Sequence, residues 1–135
     1  MTVETWDPRP PAAGLTPRAV ERLLEAAARL DEPRFGLDRE AAAELAPVAR
    51  HRPAAGIDWA QAAEGLGDDE LIALVRLFTL AESALPGWEA RDESPVIPLA
   101  AVLRRRGRYP ADLTAWIRAH SDNRFLPYGN LMARL

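Results

Sequence analysis

The residues best suited to chemistry are concentrated near the C-terminal end of the chain, where His120 is followed by Ser121 and Asp122. An imidazole beside a carboxylate can act as a general base or supply two metal ligands, whereas zinc sites need three or four ligands. His120 also falls on the apolar stripe of a predicted helix, which favours a structural histidine. The chain has no cysteine, so thiolate ligands and a cysteine nucleophile are excluded. We therefore predict neither a metal site nor a cofactor.

Motifs for covalent catalysis and for nucleotide binding are absent from the sequence. The serines are Ser83, Ser94 and Ser121, and none stands in a G-x-S-x-G or S-x-x-K pattern. There is no P-loop, and no G-x-G-x-x-G follows a predicted strand. Ser94 precedes a proline and is explained as a helix cap. These observations lean against an enzyme but leave an enzymatic activity open.

The segment that follows His120 is unusually apolar for a chain end. After a helix stop at Asn123 it contains Arg124, Phe125 and Tyr128, together with a proline and a glycine that restrict its backbone. A tail without a role is typically polar and poor in aromatic residues. One interpretation is structural, with this segment folded over the helices. The other interpretation is a docking element for a protein partner or for a second copy of the chain.

A second candidate contact lies in the loop after the most hydrophobic predicted helix, where Trp88 follows Pro86-Gly87 and precedes Arg91. An aromatic side chain in a loop can be a binding contact, and it can equally close the core at a helix end. The candidate binding residues are therefore His120, Asn123, Arg124, Phe125 and Tyr128 in the C-terminal segment, and Trp88 and Arg91 in this loop.

Polar residues also follow one line of that hydrophobic helix, where Arg76, Thr79 and Ser83 fall at i, i+3 and i+7 and Glu82 is adjacent. A solvated helix edge or a buried Arg–Glu pair is the ordinary explanation. The alternative is a small-molecule or catalytic pocket formed by Arg76, Glu82, His120 and Arg124. This alternative predicts that the four groups converge on a concave site with a shifted pKa.

The densest basic cluster runs from Arg104 to Arg108, between two predicted helices spaced as in a helix-turn-helix. It lies in a basic part of the chain, since residues 98–135 carry a net +5 and residues 1–97 a net −8. Nucleic-acid binding through Arg104–Arg108 is therefore a third hypothesis. Three observations argue against it: cations in the last turn stabilise helix carbonyls, the whole chain is acidic, and the next helix offers little chemistry for base contacts.

The elements that must position these residues are predicted to be helical. A first helix is expected from Thr16 to about Leu30, with Asp38 and Asp58 as caps of two further helices and Pro47 as a kink or break. The stretch from Asp69 to about Ala84 is apolar nearly all round, which predicts a central buried helix. No stretch shows the alternation of apolar and polar residues that is typical of a strand.

We predict an all-α fold, an irregular orthogonal bundle of five to seven short helices in a single domain over residues 1–135. An extended proline-rich arm (1–15) precedes the helical body (16–120), and a structured turn segment (121–135) follows it. No window approaches the run of roughly 18 apolar residues that a spanning helix needs, and the N-terminus does not resemble a signal peptide. We therefore expect a soluble cytoplasmic protein.

All 17 basic residues are arginine, and together with the abundant alanine and proline this indicates a GC-rich bacterial genome. Our leading hypothesis is a non-enzymatic interaction or regulatory protein, which contacts a protein partner or itself through the C-terminal segment. We do not expect nucleic acid or a membrane among its partners. The sequence does not specify the pathway.

Overall fold

The computed structural model describes residues 14–127 of the chain. Most of the predicted arm, residues 1–13, and the end of the C-terminal segment from Tyr128 onward lie outside the described residues. Within residues 14–127 there are six α-helices and no strand, which confirms the predicted all-α class and the predicted number of helices. The helices are α1 (Pro17–Ala27), α2 (Arg39–Leu45), α3 (Trp59–Glu64), α4 (Asp68–Ala84), α5 (Val96–Arg105) and α6 (Leu113–His120).

Side-chain caps start three of these helices where the sequence predicts. Thr16, Asp38 and Asp58 each accept a hydrogen bond from the backbone amide three residues further on, at 3.1, 2.7 and 3.0 Å. Each cap satisfies a helical N–H group that has no partner within the helix. The starts of α1, α2 and α3 are thus set by local hydrogen bonding.

Helix α1 is shorter than expected, whereas α2 ends where the sequence predicts. Helix α1 ends at Ala27 instead of about Leu30, and the chain then turns back through three residues at positive φ, Arg34, Phe35 and Gly36, with Phe35 only 7% exposed. Helix α2 ends at Leu45 and gives way to a 3₁₀ turn, Ala46–Val48, as Pro47 requires. The predicted break at this proline is confirmed.

Helix α4 is the centre of the bundle, as its composition predicts. It packs against α1, α5 and α6, while α3 packs against α5. Its first turn carries three acidic residues, and the side chain of one of them, Glu70, accepts a hydrogen bond from the Gly67 amide at 2.9 Å. Its buried residues are Leu71, Leu74, Val75, Leu77, Phe78, Thr79, Ala81 and Glu82.

The basic cluster at the end of α5 is used inside the fold. Arg105 pairs with Glu64 at the end of α3, and Arg106 and Arg108 lie 3.0 and 3.5 Å from the two carboxylate oxygens of Asp68. Arg106 also donates to the Ala63 carbonyl in α3 and to the Leu66 carbonyl between α3 and α4. Three of the four arginines therefore fasten α5 to the junction of α3 and α4.

Candidate functional site

A polar cleft of about 250 Å³ lies beside the C-terminal end of α4. Three parts of the chain form it: the end of α4, the α4–α5 loop (residues 85–95), and residues 121–123 after α6. The side chains that line it are Glu82, Ser83, Glu89, Arg91, Ser121, Asp122 and Asn123. Concave sites with a few convergent polar groups are the usual places for small ligands.

Glu82 is the buried carboxyl of this cleft, with only 9% of the residue exposed. It is placed there by α4, whose other buried residues fill the core. Its Oε2 accepts a hydrogen bond from the Ser94 hydroxyl, and its Oε1 accepts one from Asn123 Nδ2 at 3.4 Å. Both donors come from other elements, so Glu82 joins α4 to the start of α5 and to the segment after α6.

Asn123 holds the outer wall of the cleft through both ends of its side chain. Its Nδ2 donates to the Arg91 carbonyl at 2.8 Å as well as to Glu82, and its Oδ1 accepts from the Phe125 amide at 2.9 Å. The Leu126 amide closes the same turn onto the Asn123 carbonyl at 3.1 Å. The beginning of the C-terminal segment is therefore fixed against the α4–α5 loop.

Arg91 contributes to the wall of the cleft through its backbone. Its φ of 51° lies in the left-handed region, where non-glycine residues are uncommon. Its carbonyl accepts the hydrogen bond from Asn123, while its guanidinium lies 3.8 Å from the Asp122 carboxylate. Arg50 supports the loop from outside, since it donates to the Glu89 carbonyl at 2.7 Å and lies 3.3 Å from Glu93.

The electrostatics of the cleft favour the neutral form of its buried carboxyl. Burial raises the pKa of Glu82 from 4.5 to about 7, and the nearby charge of Glu89 adds to the effect. The hydrogen bonds from Ser94 and Asn123 and the positive charge of Arg50 act in the opposite direction. Glu82 therefore gains or loses a proton near neutral pH, and a ligand that contacts it can change its protonation.

The structure brings together two of the candidate residues, Asn123 and Arg91, with Glu82. Arg124 is exposed and Phe125 is half-buried beside them, while Leu126 and Pro127 are buried. In the part of the C-terminal segment that the structure describes, this burial agrees with the structural interpretation, in which the segment folds over the helices. Tyr128, the remaining candidate in the segment, lies outside the described residues.

Trp88 is not a surface contact. It is fully buried, its indole Nε1 donates to the Ala42 carbonyl at 2.9 Å, and its ring lies 6.3 Å from that of Phe78. Of the two roles considered for it, the structure supports the one that closes the core. The position of Trp88 in a loop suggested an exposed side chain, but the loop folds back over α2 and buries it.

The alternative pocket of four residues is divided between two places. Arg76 lies over the Trp116 ring, 5.7 Å from its centroid, and His120 stacks on the same ring at 4.3 Å. His120 is exposed, and its Nδ1 lies 2.8 Å from the Trp116 carbonyl oxygen. Of the four groups only Glu82 lines the cleft, while Arg76 and His120 lie together against Trp116.

Sequence reasoning missed Glu89, Ser121 and Asp122 as members of one cleft. The available signal was Glu82 itself, an acidic residue within a helix that is apolar nearly all round. A buried carboxylate requires polar partners, and Ser94 and Asn123 supply them. Their distance along the chain hid the connection.

His51 provides a second group with a pH-dependent role, behind the α4–α5 loop. Its Nδ1 accepts a hydrogen bond from the Trp59 amide at 3.1 Å, at the first residue of α3, and its own amide donates to the Glu93 carbonyl. Burial lowers the pKa of His51, and the charge of Asp58 partly offsets this effect. Protonation at Nδ1 would remove the acceptor that the Trp59 amide uses.

We expect this histidine to make the protein less stable in mild acid. Because the pKa of His51 is lower in the folded protein than its ordinary value of 6.5, the neutral imidazole stabilises the fold above pH 6.5. This stabilisation is lost as the pH falls below 6.5. Substitution His51→Asn keeps an acceptor near the same position without the titration. Urea unfolding from about pH 7 to about pH 5 should show a smaller loss in this variant than in the parent. Equal losses would contradict the prediction, and His120→Asn, at an exposed histidine, is the matched control.

Among the described residues, no group of three or more histidine and acidic side chains is placed to hold a metal ion. In the same part of the chain, no helix has the length and apolar character needed to cross a membrane. The chain matches no known family model, no curated protein and no solved structure. Function must therefore be inferred from the cleft and from the surface around it.

Proposed function

We propose that this chain is a cytoplasmic small-molecule-binding protein that holds a compact polar ligand in the Glu82 cleft. The single observation behind the proposal is a carboxyl group nine-tenths buried that opens on a concave polar surface and ionises near neutral pH. Titratable groups with perturbed pKa values in clefts are enriched at functional sites. The proposal keeps Glu82 from the predicted pocket and replaces its other members with the residues that line the cleft.

The charges of the lining favour a ligand that carries an amine or several hydrogen-bond donors. Glu82, Glu89 and Asp122 contribute carboxyl groups, whereas Arg91 contributes the one cationic side chain that the described residues bring to the lining, and it faces Asp122. The volume falls below the range of about 300–1,000 Å³ that drug-sized ligands occupy. A small ammonium compound therefore fits the cleft better than a large or anionic molecule.

Reversible binding is a better explanation of the lining than catalysis. Its two serines are bonded to the local backbone, Ser83 to the Leu80 carbonyl and Ser121 to the Asn123 amide. No histidine belongs to the lining that the described residues form, so neither serine has an imidazole base beside it.

The binding proposal is tested by titrating ¹⁵N-labelled protein with ethanolamine and putrescine, and with ethylene glycol and acetate as uncharged and anionic comparisons. We expect the amines to shift the backbone resonances of residues 82–91 and 121–123, and the comparison compounds to leave them in place. Asp122→Asn should weaken the amine shifts several-fold, because the substitution removes one negative charge from the cleft. The Asp122 side chain is 96% exposed, so its replacement does not disturb the core. Asp112→Asn, outside the lining, should change nothing. Equal responses to amines and to acetate would exclude the proposed ligand class.

A protein-interaction role remains the second candidate because of the turn after α6. Asn123 fixes this turn through three hydrogen bonds, and the turn carries an exposed Arg124 beside a half-buried Phe125. A rigid turn that presents an arginine and an aromatic residue suits a partner surface or a second copy of the chain.

This second candidate predicts a selective loss of association. Arg124→Ala or Tyr128→Ala should weaken self-association in sedimentation velocity, or recovery of a specific partner in a pull-down, without a change in the far-UV circular dichroism spectrum. Arg118→Ala, an exposed arginine on α6, is the matched control. Unchanged association in both segment variants would count against the role.

Nucleic-acid binding is supported less than either candidate. The ion pairs of Arg105, Arg106 and Arg108 with acidic residues reduce the charge that the cluster can offer to phosphates. Arg104 lies over the ring of Tyr109, with its guanidinium carbon 6.0 Å from the centroid.

A further inference from the structure

Arg76 is a half-buried cation on the central helix that lacks the carboxylate partner of similar arginines. Residues 14–127 contain four other half-buried arginines, and each lies 2.8–3.8 Å from an acidic side chain: Arg22, Arg50, Arg91 and Arg106. None of the ion pairs in this part of the chain includes Arg76. Its Nε is buried, and no atom of the described residues accepts a hydrogen bond from it. Charged groups withdrawn from water are ordinarily paired, so Arg76 has an unused capacity to bind an anion.

Two aromatic rings of α6 lie beside this guanidinium. The Arg76 guanidinium carbon is 5.7 Å from the centroid of the Trp116 ring, and the His120 ring stacks on the same indole at 4.3 Å and 26°. Because a carbonyl oxygen can only accept, His120 Nδ1 donates to the Trp116 carbonyl, and this bond holds the imidazole against the indole. Trp116 is half-buried and His120 is exposed, so a ligand can reach the rings from solvent. We call these three residues the Arg76 cluster.

The position of Arg76 in α4 prepares its guanidinium for a ligand. Helix α4 packs against α6, and the contact with the Trp116 ring orients the guanidinium plane. A side chain that is already held in place loses little conformational freedom on binding. One turn before and one turn after Arg76, the apolar side chains of Ile72 and Leu80 are partly buried against the core. An ion pair formed between such apolar neighbours is screened less by water than one on an open surface.

The chemistry of the Arg76 cluster selects one kind of ligand. A guanidinium donates two parallel hydrogen bonds to a carboxylate, and the single charges of the two groups balance. A phosphate monoester carries about −1.5 to −2 at pH 7 and would keep an excess of negative charge beside apolar side chains. The stacked rings of Trp116 and His120 offer a flat surface on which another aromatic ring can pack. A molecule with both features is an aromatic carboxylate.

We propose that the Arg76 cluster binds an aromatic carboxylate, with the carboxylate on the Arg76 guanidinium and the ring of the ligand against Trp116 and His120. The site is separate from the Glu82 cleft, because none of the three residues is among the described residues that line that cleft. It takes an anion, whereas the cleft is proposed to take an ammonium compound. The two proposals therefore stand or fall independently.

The ligand class is tested by titrating the ¹⁵N-labelled chain with benzoate, and with benzamide, acetate and phenyl phosphate as comparisons. Benzoate should shift the Trp116 indole N–H and Arg76 Nε–H resonances, which are assigned with Trp116→Phe and Arg76→Gln. Benzamide keeps the ring without the charge, and acetate keeps the charge without the ring, so each should bind several-fold more weakly. Benzamide or acetate binding as tight as that of benzoate would overturn the proposal, and so would tighter binding of phenyl phosphate.

Substitutions test the roles of the individual residues. Arg76→Gln should weaken benzoate binding by about tenfold or more, because it removes the charged donor, and Arg76→Lys should restore only part of the affinity. His120→Ala, at an exposed residue, should weaken benzoate binding several-fold and leave acetate binding unchanged. Arg118→Gln is the matched control, since two residues along a helix from Trp116 it points away from the cluster. Benzoate affinity that is unchanged in either Arg76→Gln or His120→Ala would contradict the proposed site.

Discussion

The variant Glu82→Gln is expected to become more stable than the parent chain as the pH rises. Its free energy of unfolding minus that of the parent should be about 3 kcal/mol larger at pH 8 than at pH 4. The pKa of Glu82 is raised from 4.5 to about 7 in the folded protein, so folding favours the protonated form. The stabilisation from that form is complete below about pH 4.5 and is lost as the pH rises to about 7. Glutamine keeps the neutral, hydrogen-bonding shape of the protonated carboxyl at every pH.

This result is measured by urea unfolding, followed through tryptophan fluorescence, of the variant and the parent at pH values between 4 and 8. The difference between the two proteins isolates Glu82 from the other titrating groups, including His51, whose effect has the opposite sign. Asp92→Asn is the matched control, because Asp92 is an exposed acidic residue of the α4–α5 loop that does not line the cleft. A difference that stays constant across the pH range would show that folding leaves the pKa of Glu82 unchanged, and would contradict the prediction.

The second large effect is expected at Trp88. Substitution Trp88→Ala should destabilise the fold by about 3–5 kcal/mol, because it leaves a cavity in the core and removes the hydrogen bond that the indole donates to the Ala42 carbonyl. Trp88→Phe should cost less, since it keeps most of the apolar volume and loses the hydrogen bond.

Chemical denaturation of the two variants measures these costs. Trp116→Ala is the comparison, because Trp116 is only partly buried and stacks against His120 near the surface. A loss at Trp88 no greater than the loss at Trp116 would contradict the core role. Binding assays with a Trp88 variant should be interpreted only where the fold is intact.

The features that could be predicted from the sequence depend on short-range interactions. A cap acts on an amide three residues away, and a proline breaks a helix within one turn, so Asp38 and Pro47 behave as predicted. The character of α4 was also readable, since a helix with apolar residues on nearly every side can be stable only when it is surrounded.

The features that could not be predicted depend on contacts between distant parts of the chain. Glu82 and Asn123 are 41 residues apart, and the bond of Trp88 to Ala42 spans 46 residues. Local pattern shows that Glu82 needs partners but does not identify them. Similarly, the basic character of Arg104–Arg108 is evident in the sequence, while its neutralisation by Glu64 and Asp68 requires the packing of α5 against α3.

The shared hydrogen bonds of Asn123 would make the two candidate functions interdependent. One amide group donates both to the Glu82 carboxyl inside the cleft and to the Arg91 carbonyl in its wall. A ligand that takes over the Glu82 oxygen would loosen the anchor of the turn that presents Arg124. By thermodynamic linkage, a partner that draws this turn away would change the affinity of the cleft by the same factor. Asn123 would then be the point through which a small metabolite controls an assembly, and an assembly controls the release of the metabolite.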